Sequence, residues 1–238
     1  MARIILIHGA WGNGASWARL VPLLGAMGHD VEAPDLPSHG HDETPPDQVG
    51  QAAYVAAIEA RLLSGPPAIL VGHSMGGIVI AQLAARQPDH VLHTVYVAAL
   101  LPRDGDSLVS LIRQQDGAGI QPAIRREGPK ASTTLDAQTA APILFADADA
   151  RTQARAMAHM SPQPNKAQTD PAQIGPDFDR VPRAYVFCTQ DLTVTHPLQQ
   201  QMVAATPCAQ TFTLDCGHVP QLTQAKPLAD ILNKVSLT

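Results

Sequence analysis

The stretch that most constrains this chain is residues 72–76, which read Gly-His-Ser-Met-Gly and match the pattern G-x-S-x-G. An apolar run precedes this stretch at residues 68–71, and a helix-forming run follows it at residues 78–85. Glycine has no Cβ, so the two glycines allow a sharp turn from strand to helix that holds the serine in a strained conformation. The pattern in this setting predicts a nucleophile elbow with Ser74 as the nucleophile.

The composition is that of a soluble globular protein. Of the 238 residues, 45% are hydrophobic and 16% are charged, which suits one large domain or a domain with an inserted lobe. The net charge is -5 and the 16 Lys and Arg residues are scattered, which argues against a nucleic-acid partner. The apolar run at residues 4–7 is too short for a signal peptide, and no stretch reaches the roughly 18 apolar residues of a membrane span. Three cysteines without metal-ligand spacing suit a reducing compartment, so we expect a cytoplasmic protein that does not contact membranes.

Strand and helix patterns alternate along most of the chain. Strands are predicted at residues 4–7, 29–33, 68–71, 91–98, 184–188 and 211–214, and helices at residues 16–27, 51–63, 78–85, 198–205 and 220–235. This alternation predicts an α/β fold with a parallel sheet covered by helices on both faces. The alternation stops at residues 103–180, where helical runs at 108–114 and 140–160 occur without a convincing strand. We therefore predict a core at residues 1–102 and 181–238 and an inserted helical cap at residues 103–180.

A serine hydroxyl becomes a strong nucleophile when a base takes its proton and a carboxylate orients that base. Of the ten histidines, His196 and His218 lie beyond the predicted cap, and His218 follows the last predicted strand. Asp191 follows the preceding strand, so both side chains are expected at the carboxyl edge of the sheet, where such folds place their sites. We predict His218 as the base and Asp191 as the acid, with Asp104 and Asp106 as alternatives for the acid.

Two backbone N–H groups are needed to bind the developing oxyanion. One comes from the residue after the nucleophile and one from the loop after the first strand, which indicates Met75 and Ala10. Small residues in that loop allow a close approach, although a purely structural turn would look the same. Next to these groups lie the candidate substrate-binding residues, namely Gly9, Trp11, His73 and Val219, with core packing as the alternative for Trp11.

Residues 39–43 read His-Gly-His-Asp-Glu and are the one stretch that resembles a metal site. No further ligand from a strand end is evident, so we predict a solvated turn here rather than a metal site. The first turn lacks the G-x-G-x-x-G arrangement of a dinucleotide site. We therefore expect neither a metal nor a cofactor.

Together these segments resemble the α/β-hydrolase superfamily, and within it the branch of plant methylesterases, hydroxynitrile lyases and bacterial carboxylesterases, some of which are similar to pyrethroid hydrolases. The segments that carry the resemblance occur in the same order and are residues 7–11, 21–24, 72–77, 188–191 and 217–218. The resemblance implies a mostly parallel six-stranded sheet, a helical cap over the active site, no cofactor and often a homodimer.

The lyase members of that branch carry threonine at the position of Gly9 and lysine at the position of Val219. Without that cation nothing evident stabilises a departing cyanide, so the esterase members are the better analogue. We expect a serine carboxylic-ester hydrolase that forms an acyl-enzyme from small to medium apolar esters. The alternatives are hydroxynitrile lyase-type cleavage and a ligand receptor with slow turnover. Candidate pocket residues in the cap, each with core packing as an equal alternative, are Leu108, Leu111, Ile112, Leu144, Phe145, Met157 and Met160.

Overall fold

The computed structural model describes residues 1–126 and 131–237. Strands and helices alternate on either side of a central segment. In chain order the first half contains β1 (Arg3–Ile7), α1 (Val21–Ala26), β2 (Asp30–Glu32), α2 (Gln51–Leu63), β3 (Ala68–His73), α3 (Gly76–Arg86) and β4 (Val91–Val97). The central segment contains α4 (Leu108–Ile112), β5 (Ile124–Arg125), β6 (Ser132–Leu135), α5 (Ala137–Leu144), α6 (Ala150–Met157), β7 (Gln163–Pro164) and α7 (Asn165–Thr169). The last part contains β8 (Arg183–Cys188), α8 (His196–Ala205), β9 (Gln210–Leu214), α9 (Pro220–Thr223) and α10 (Ala225–Val235).

The large sheet has six strands in the order β2-β1-β3-β4-β8-β9, and every neighbouring pair is parallel. All residues of β1 and β3 are buried, because α2 and α3 pack on one face of the sheet and α1 and α10 on the other. The predicted α/β-hydrolase architecture with a six-stranded sheet is confirmed. None of the helices in the described ranges combines the length and apolar character that a bilayer span requires.

Two predicted helices are each divided in two. The run predicted at residues 16–27 forms a 3₁₀ turn at Gly14–Trp17 followed by α1, which has Pro22 in its first turn, where proline is well tolerated. The run predicted at residues 220–235 is interrupted at Gln224, whose backbone angles (φ -129°, ψ 39°) are not helical. The resulting short helix α9 begins two residues after His218 and borders the site described below.

The prediction of a central segment without strands was wrong. Strands β5, β6 and β7 form a small antiparallel sheet in which Ser132 pairs with Pro164. These strands are two to four residues long, too short to show an alternating pattern in the sequence. The single helical run predicted at residues 140–160 is also divided, because the Asp149 side chain accepts the backbone N–H of Thr152 and caps a new helix.

Candidate active site

Ser74 occupies the turn between β3 and α3 with a positive φ of 53°. The glycines on either side allow this turn. A Cβ at position 72 would lie 2.6 Å from the carbonyl carbon of Gly76, and a Cβ at position 76 would lie 2.6 Å from the carbonyl oxygen of Ile7. Because real Cβ atoms do not approach backbone this closely, the turn requires glycine at both positions and keeps Ser74 in the left-handed region.

His218 and Asp191 lie in the loops that follow β9 and β8 and form a direct hydrogen bond. The Nδ1 atom of His218 is 2.7 Å from Oδ2 of Asp191, and both side chains are buried. The other carboxylate oxygen, Oδ1, accepts the backbone N–H groups of Thr193 and Val194 at 2.7 and 2.9 Å. A carboxylate at Nδ1 makes that nitrogen the donor, which leaves Nε2 of a neutral imidazole available as a proton acceptor.

Gln199 on α8 holds the loop that carries Asp191, and the sequence analysis missed it. Its side-chain amide donates to Oδ2 of Asp191 at 3.2 Å and to the carbonyl of Val194 at 2.7 Å. Its oxygen accepts the backbone N–H of Cys188 at the end of β8. Gln199 is fully buried beside Leu198. A polar residue at a core position of the predicted helix was the one available signal.

His73, the last residue of β3, contacts His218. Its Nε2 donates to the backbone carbonyl of His218 at 2.8 Å, and the two ring centroids are 4.7 Å apart. Burial, together with the nearby His218, lowers the pKa of His73 well below the ordinary value of 6.5. A neutral His73 therefore fixes the backbone of His218 without placing a second positive charge beside it.

A cavity of about 500 Å³ lies between this edge of the sheet and the central segment. Ser74 and His218 both border it. Of the four predicted substrate-binding residues, Gly9, His73 and Val219 border the cavity and Trp11 does not.

The seven cap residues proposed for the pocket divide into two groups. Leu144, Phe145 and Met160 border the cavity. Leu108, Leu111 and Ile112 instead pack with the main core cluster, and Met157 packs against the cluster that contains Trp11 and Val219. For these four the alternative, core packing, holds. An apolar helical face looks the same in the sequence whether it covers a core or a cavity.

The backbone N–H groups of Ala10 and Met75 are the two predicted oxyanion donors. Neither group donates a hydrogen bond to the described part of the chain. Ala10 borders the cavity, and Met75 directly follows Ser74 at the start of α3. The loop of Ala10 can lie against Ser74 because Gly9 has no side chain: a Cβ at position 9 would lie 2.7 Å from the Cβ of Ser74.

Trp11 has a packing position in this loop. Its φ is 57°, an uncommon value for a residue with a side chain. The side-chain oxygen of Gln163 accepts its backbone N–H at 3.1 Å, and its indole N–H donates to the carbonyl of Thr133 at 3.2 Å. The Trp11 carbonyl accepts the backbone N–H of Ser161 at 2.7 Å. The central segment thus holds the loop beside Ser74 in its strained conformation.

The loop at residues 39–43 differs from its prediction at one residue. His39 is buried and not solvated, with Nε2 3.2 Å from the Gln163 oxygen and its ring 5.0 Å from that of His8. Residues 41–43 are exposed, as expected of a turn. Across residues 1–126 and 131–237, no three His, Cys, Asp or Glu side chains converge as a metal site would require.

Asp104 and Asp106, the two alternatives for the acid, lie away from His218. Asp104 accepts the backbone N–H of Ile174 at 2.8 Å, and Asp106 accepts the backbone N–H of Arg103 at 2.9 Å. Both carboxylates hold turns of the central segment and neither is bonded to His218. Of the three candidate acids, Asp191 is the one paired with the predicted base.

Comparison with known proteins agrees with this fold. The model of the alpha/beta hydrolase family matches residues 4–231. A pyrethroid hydrolase of Sphingobium wenxiniae is 27% identical over 96% of this chain and 85% of its own length. The esterase PIR7B of Oryza sativa subsp. japonica is 27% identical over 98% of this chain and 94% of its own length.

Solved structures give the same result. The pyrethroid hydrolase of Sphingobium faniae superposes with a TM-score of 0.86 at 25% identity, covering 98% of this chain and 96% of that chain. Polyneuridine aldehyde esterase superposes with a TM-score of 0.90 at 22% identity, covering 99% of each chain, which shows likeness of fold. The chain therefore belongs to the alpha/beta hydrolase family, as a hydrolase of the carboxylesterase type.

Proposed function

We propose that this chain is a serine carboxylic-ester hydrolase in which Ser74, His218 and Asp191 form the catalytic triad. One observation carries the proposal. His218, which is hydrogen-bonded to Asp191, borders the same cavity as Ser74. A strained serine, an oriented imidazole and a buried carboxylate are the groups that acyl transfer to an alcohol side chain requires.

In the proposed reaction the Ser74 hydroxyl attacks the ester carbonyl while Nε2 of His218 takes its proton. Asp191 keeps the proton of the imidazole on Nδ1 and stabilises the imidazolium that forms. The tetrahedral oxyanion accepts hydrogen bonds from the N–H groups of Ala10 and Met75. These two groups suit that role because they have no partner within the described residues.

Collapse of the tetrahedral intermediate expels the alcohol, which receives the proton from His218, and leaves the acyl group on Ser74. Water then attacks the acyl-enzyme with His218 as the base, releasing the carboxylic acid and restoring the serine. No step in this sequence requires a metal or a cofactor.

The cavity supports small to medium esters as substrates. Its volume of about 500 Å³ suits a ligand of that size, and its apolar lining includes Leu144, Phe145 and Met160. A panel of p-nitrophenyl esters of increasing acyl length, assayed with a serine-directed covalent probe, tests the proposal. We expect sustained turnover of the shorter esters and labelling at Ser74. Labelling of Ser74 by the probe, together with no more than one turnover of each ester, would instead indicate a ligand receptor with slow turnover.

A further inference from the structure

The cavity that contains Ser74 has positive but no negative side chains on its lining. Within the described residues the lining includes Arg19 and Arg155 and no Asp or Glu side chain. The chain as a whole has the opposite balance, with 21 Asp and Glu against 16 Lys and Arg and a net charge of -5. The excess of cations at the cavity therefore does not follow from the overall composition.

Arg155 lies on the face of α6 that borders the cavity. Thr152, Arg155 and Ala156 all border it, and positions three and four residues apart lie on one side of a helix. Arg155 forms no ion pair or hydrogen bond within residues 1–126 and 131–237. Its guanidinium therefore has all its N–H donors available to a ligand.

Arg19 borders the same cavity from the segment between the 3₁₀ turn at Gly14–Trp17 and α1. One N–H of its guanidinium donates to the carbonyl of Leu222 at 2.9 Å, which holds the side chain beside α9. It forms no ion pair with a carboxylate in the described part of the chain. The remaining N–H donors of Arg19 are therefore available as well.

The two arginines come from adjoining walls of the cavity. The side-chain amide of Asn13, which caps the 3₁₀ turn, donates to the carbonyl of His159 just after α6 at 2.7 Å. Hydrogen bonds from Thr152 lower the pKa of Asp149, the N-cap of α6, and the charge of Arg19 adds to this effect. Arg19 thus lies near the start of α6, whereas Asp149 itself does not border the cavity.

The arginines lie on the solvent side of the cavity and Ser74 lies deeper. Both arginines are exposed and border the cavity, so a ligand there can reach them, whereas Ser74 and His218 are buried. A substrate with its ester carbonyl at Ser74 therefore extends towards the arginines, along apolar lining such as Phe145.

A guanidinium group stays charged at any ordinary pH, and its planar set of N–H donors matches the two oxygens of a carboxylate. We propose that Arg19 and Arg155 form a cationic subsite at the mouth of the cavity that binds a carboxylate of the substrate, away from the ester carbonyl. This inference rests on the proposed esterase function and names its substrate class. The preferred substrates are monoesters of dicarboxylic acids, with an apolar chain between the two ends.

Methyl esters that end in a carboxylate test the proposal. The monomethyl esters of succinic to azelaic acid are each compared with the methyl ester that ends in a carboxamide, which is similar in size and uncharged. At the best chain length we expect the carboxylate to exceed the carboxamide in kcat/KM by about tenfold at low ionic strength, mainly through KM, because exposed charge pairs are individually weak. In about 0.5 M sodium chloride the ratio should fall towards one, because salt screens exposed charges.

Arg155→Met should lower this ratio about threefold, and Arg155→Glu should bring it to about one or below, since each changes one of the two charges. Arg19→Met should also lower it. Arg151→Met is the matched control, because Arg151 is exposed on the same helix but does not border the cavity. Equal falls in Arg155→Met and Arg151→Met would show a long-range effect of net charge and overturn the subsite.

The subsite and the esterase function can fail separately. Calorimetry on Ser74→Ala should show that the best carboxylate ester binds about tenfold tighter than its carboxamide, and adding Arg155→Glu should abolish the difference. If this difference in binding is found but the wild type does not hydrolyse the esters, the subsite stands and the esterase proposal falls. Equal hydrolysis of both kinds of ester, or a preference for the carboxylate that survives Arg155→Glu, would overturn the subsite and leave the esterase proposal intact.

Discussion

The backbone N–H of Trp11 donates to the side chain of Gln163, a residue 152 positions later in the chain. Trp11 directly follows Ala10, whose N–H we propose as an oxyanion donor. The Gln163 oxygen also lies 3.2 Å from Nε2 of His39, and the Gln163 amide donates to the Tyr54 hydroxyl at 3.1 Å. The loop that contains Ala10 and Trp11 is thus held by the central segment, and Gln163 also connects it to His39 and to Tyr54 in the core.

Replacing Gln163 by methionine should lower kcat for a short p-nitrophenyl ester by about tenfold or more, with a smaller change in KM. The physical reason is that Ala10 loses its alignment with the oxyanion, which forms only in the transition state. Gln168→Met is the matched control, because Gln168 is also buried and bonds the Thr133 hydroxyl without contacting the Trp11 backbone. Equal losses of kcat in the two folded variants would contradict a positioning role for Gln163.

Asp191→Asn should reduce kcat by about 10⁴-fold, since an amide can hold the imidazole of His218 in the wrong tautomer. Asp104→Asn and Asp106→Asn should each have a mild effect, because these carboxylates bond backbone groups of the central segment. Steady-state kinetics on the three variants gives the order of effects. A larger loss in either control than in Asp191→Asn would place the acid elsewhere.

The sequence located the candidate site because its signals are local. Residues 72–76 span a sharp turn between β3 and α3, with Ser74 at a positive φ. Asp191 and His218 follow the neighbouring strands β8 and β9, and their side chains meet at one edge of the sheet. The hydrogen bonds that hold the loops around these residues could not be predicted from local patterns. The bond from Gln163 to Trp11 joins residues that no pattern relates, and it forms only after the short strand β7 has paired with β6.

The stability of the fold should fall in mild acid because three histidines are buried in neutral form. Burial, with the nearby His39, lowers the pKa of His8 to about 3, and burial likewise lowers the pKa values of His39 and His73. In the unfolded chain these histidines take up protons near their ordinary pKa of 6.5, whereas in the folded chain they do so only at lower pH. The free energy of unfolding therefore decreases as the pH falls below about 6.5, by up to ~1.4 kcal/mol per pH unit for each histidine.

Urea unfolding between about pH 7 and pH 5, where carboxylates stay ionised, measures this dependence. His39→Gln should show a shallower decrease than the wild type, because one buried histidine is removed. His159→Gln changes an exposed histidine and should keep the wild-type slope. Parallel curves for the wild type and His39→Gln would show that His39 is not the source of the pH dependence.

Esters should be cleaved far faster than aromatic cyanohydrins. Cyanohydrin cleavage expels cyanide and needs a cation beside the base, but Val219 occupies the position after His218 and borders the cavity. The cations on the described lining are Arg19, which donates to the carbonyl of Leu222, and Arg155 on α6. Side-by-side assays of p-nitrophenyl acetate and mandelonitrile, corrected for uncatalysed rates, test the prediction. Cyanohydrin cleavage that depends on Ser74 and exceeds ester turnover would favour the lyase function.

The most direct test of the account is to trap the acyl-enzyme. Wild-type protein is mixed with p-nitrophenyl acetate, quenched in acid within the first turnovers, and mapped by peptide mass spectrometry. We predict one acetyl group on Ser74, no adduct there in Ser74→Ala, and a fall in that variant's turnover of about 10⁶-fold. An acetyl group on another residue, or Ser74→Ala activity above about a hundredth of the wild type, would contradict Ser74 as the nucleophile.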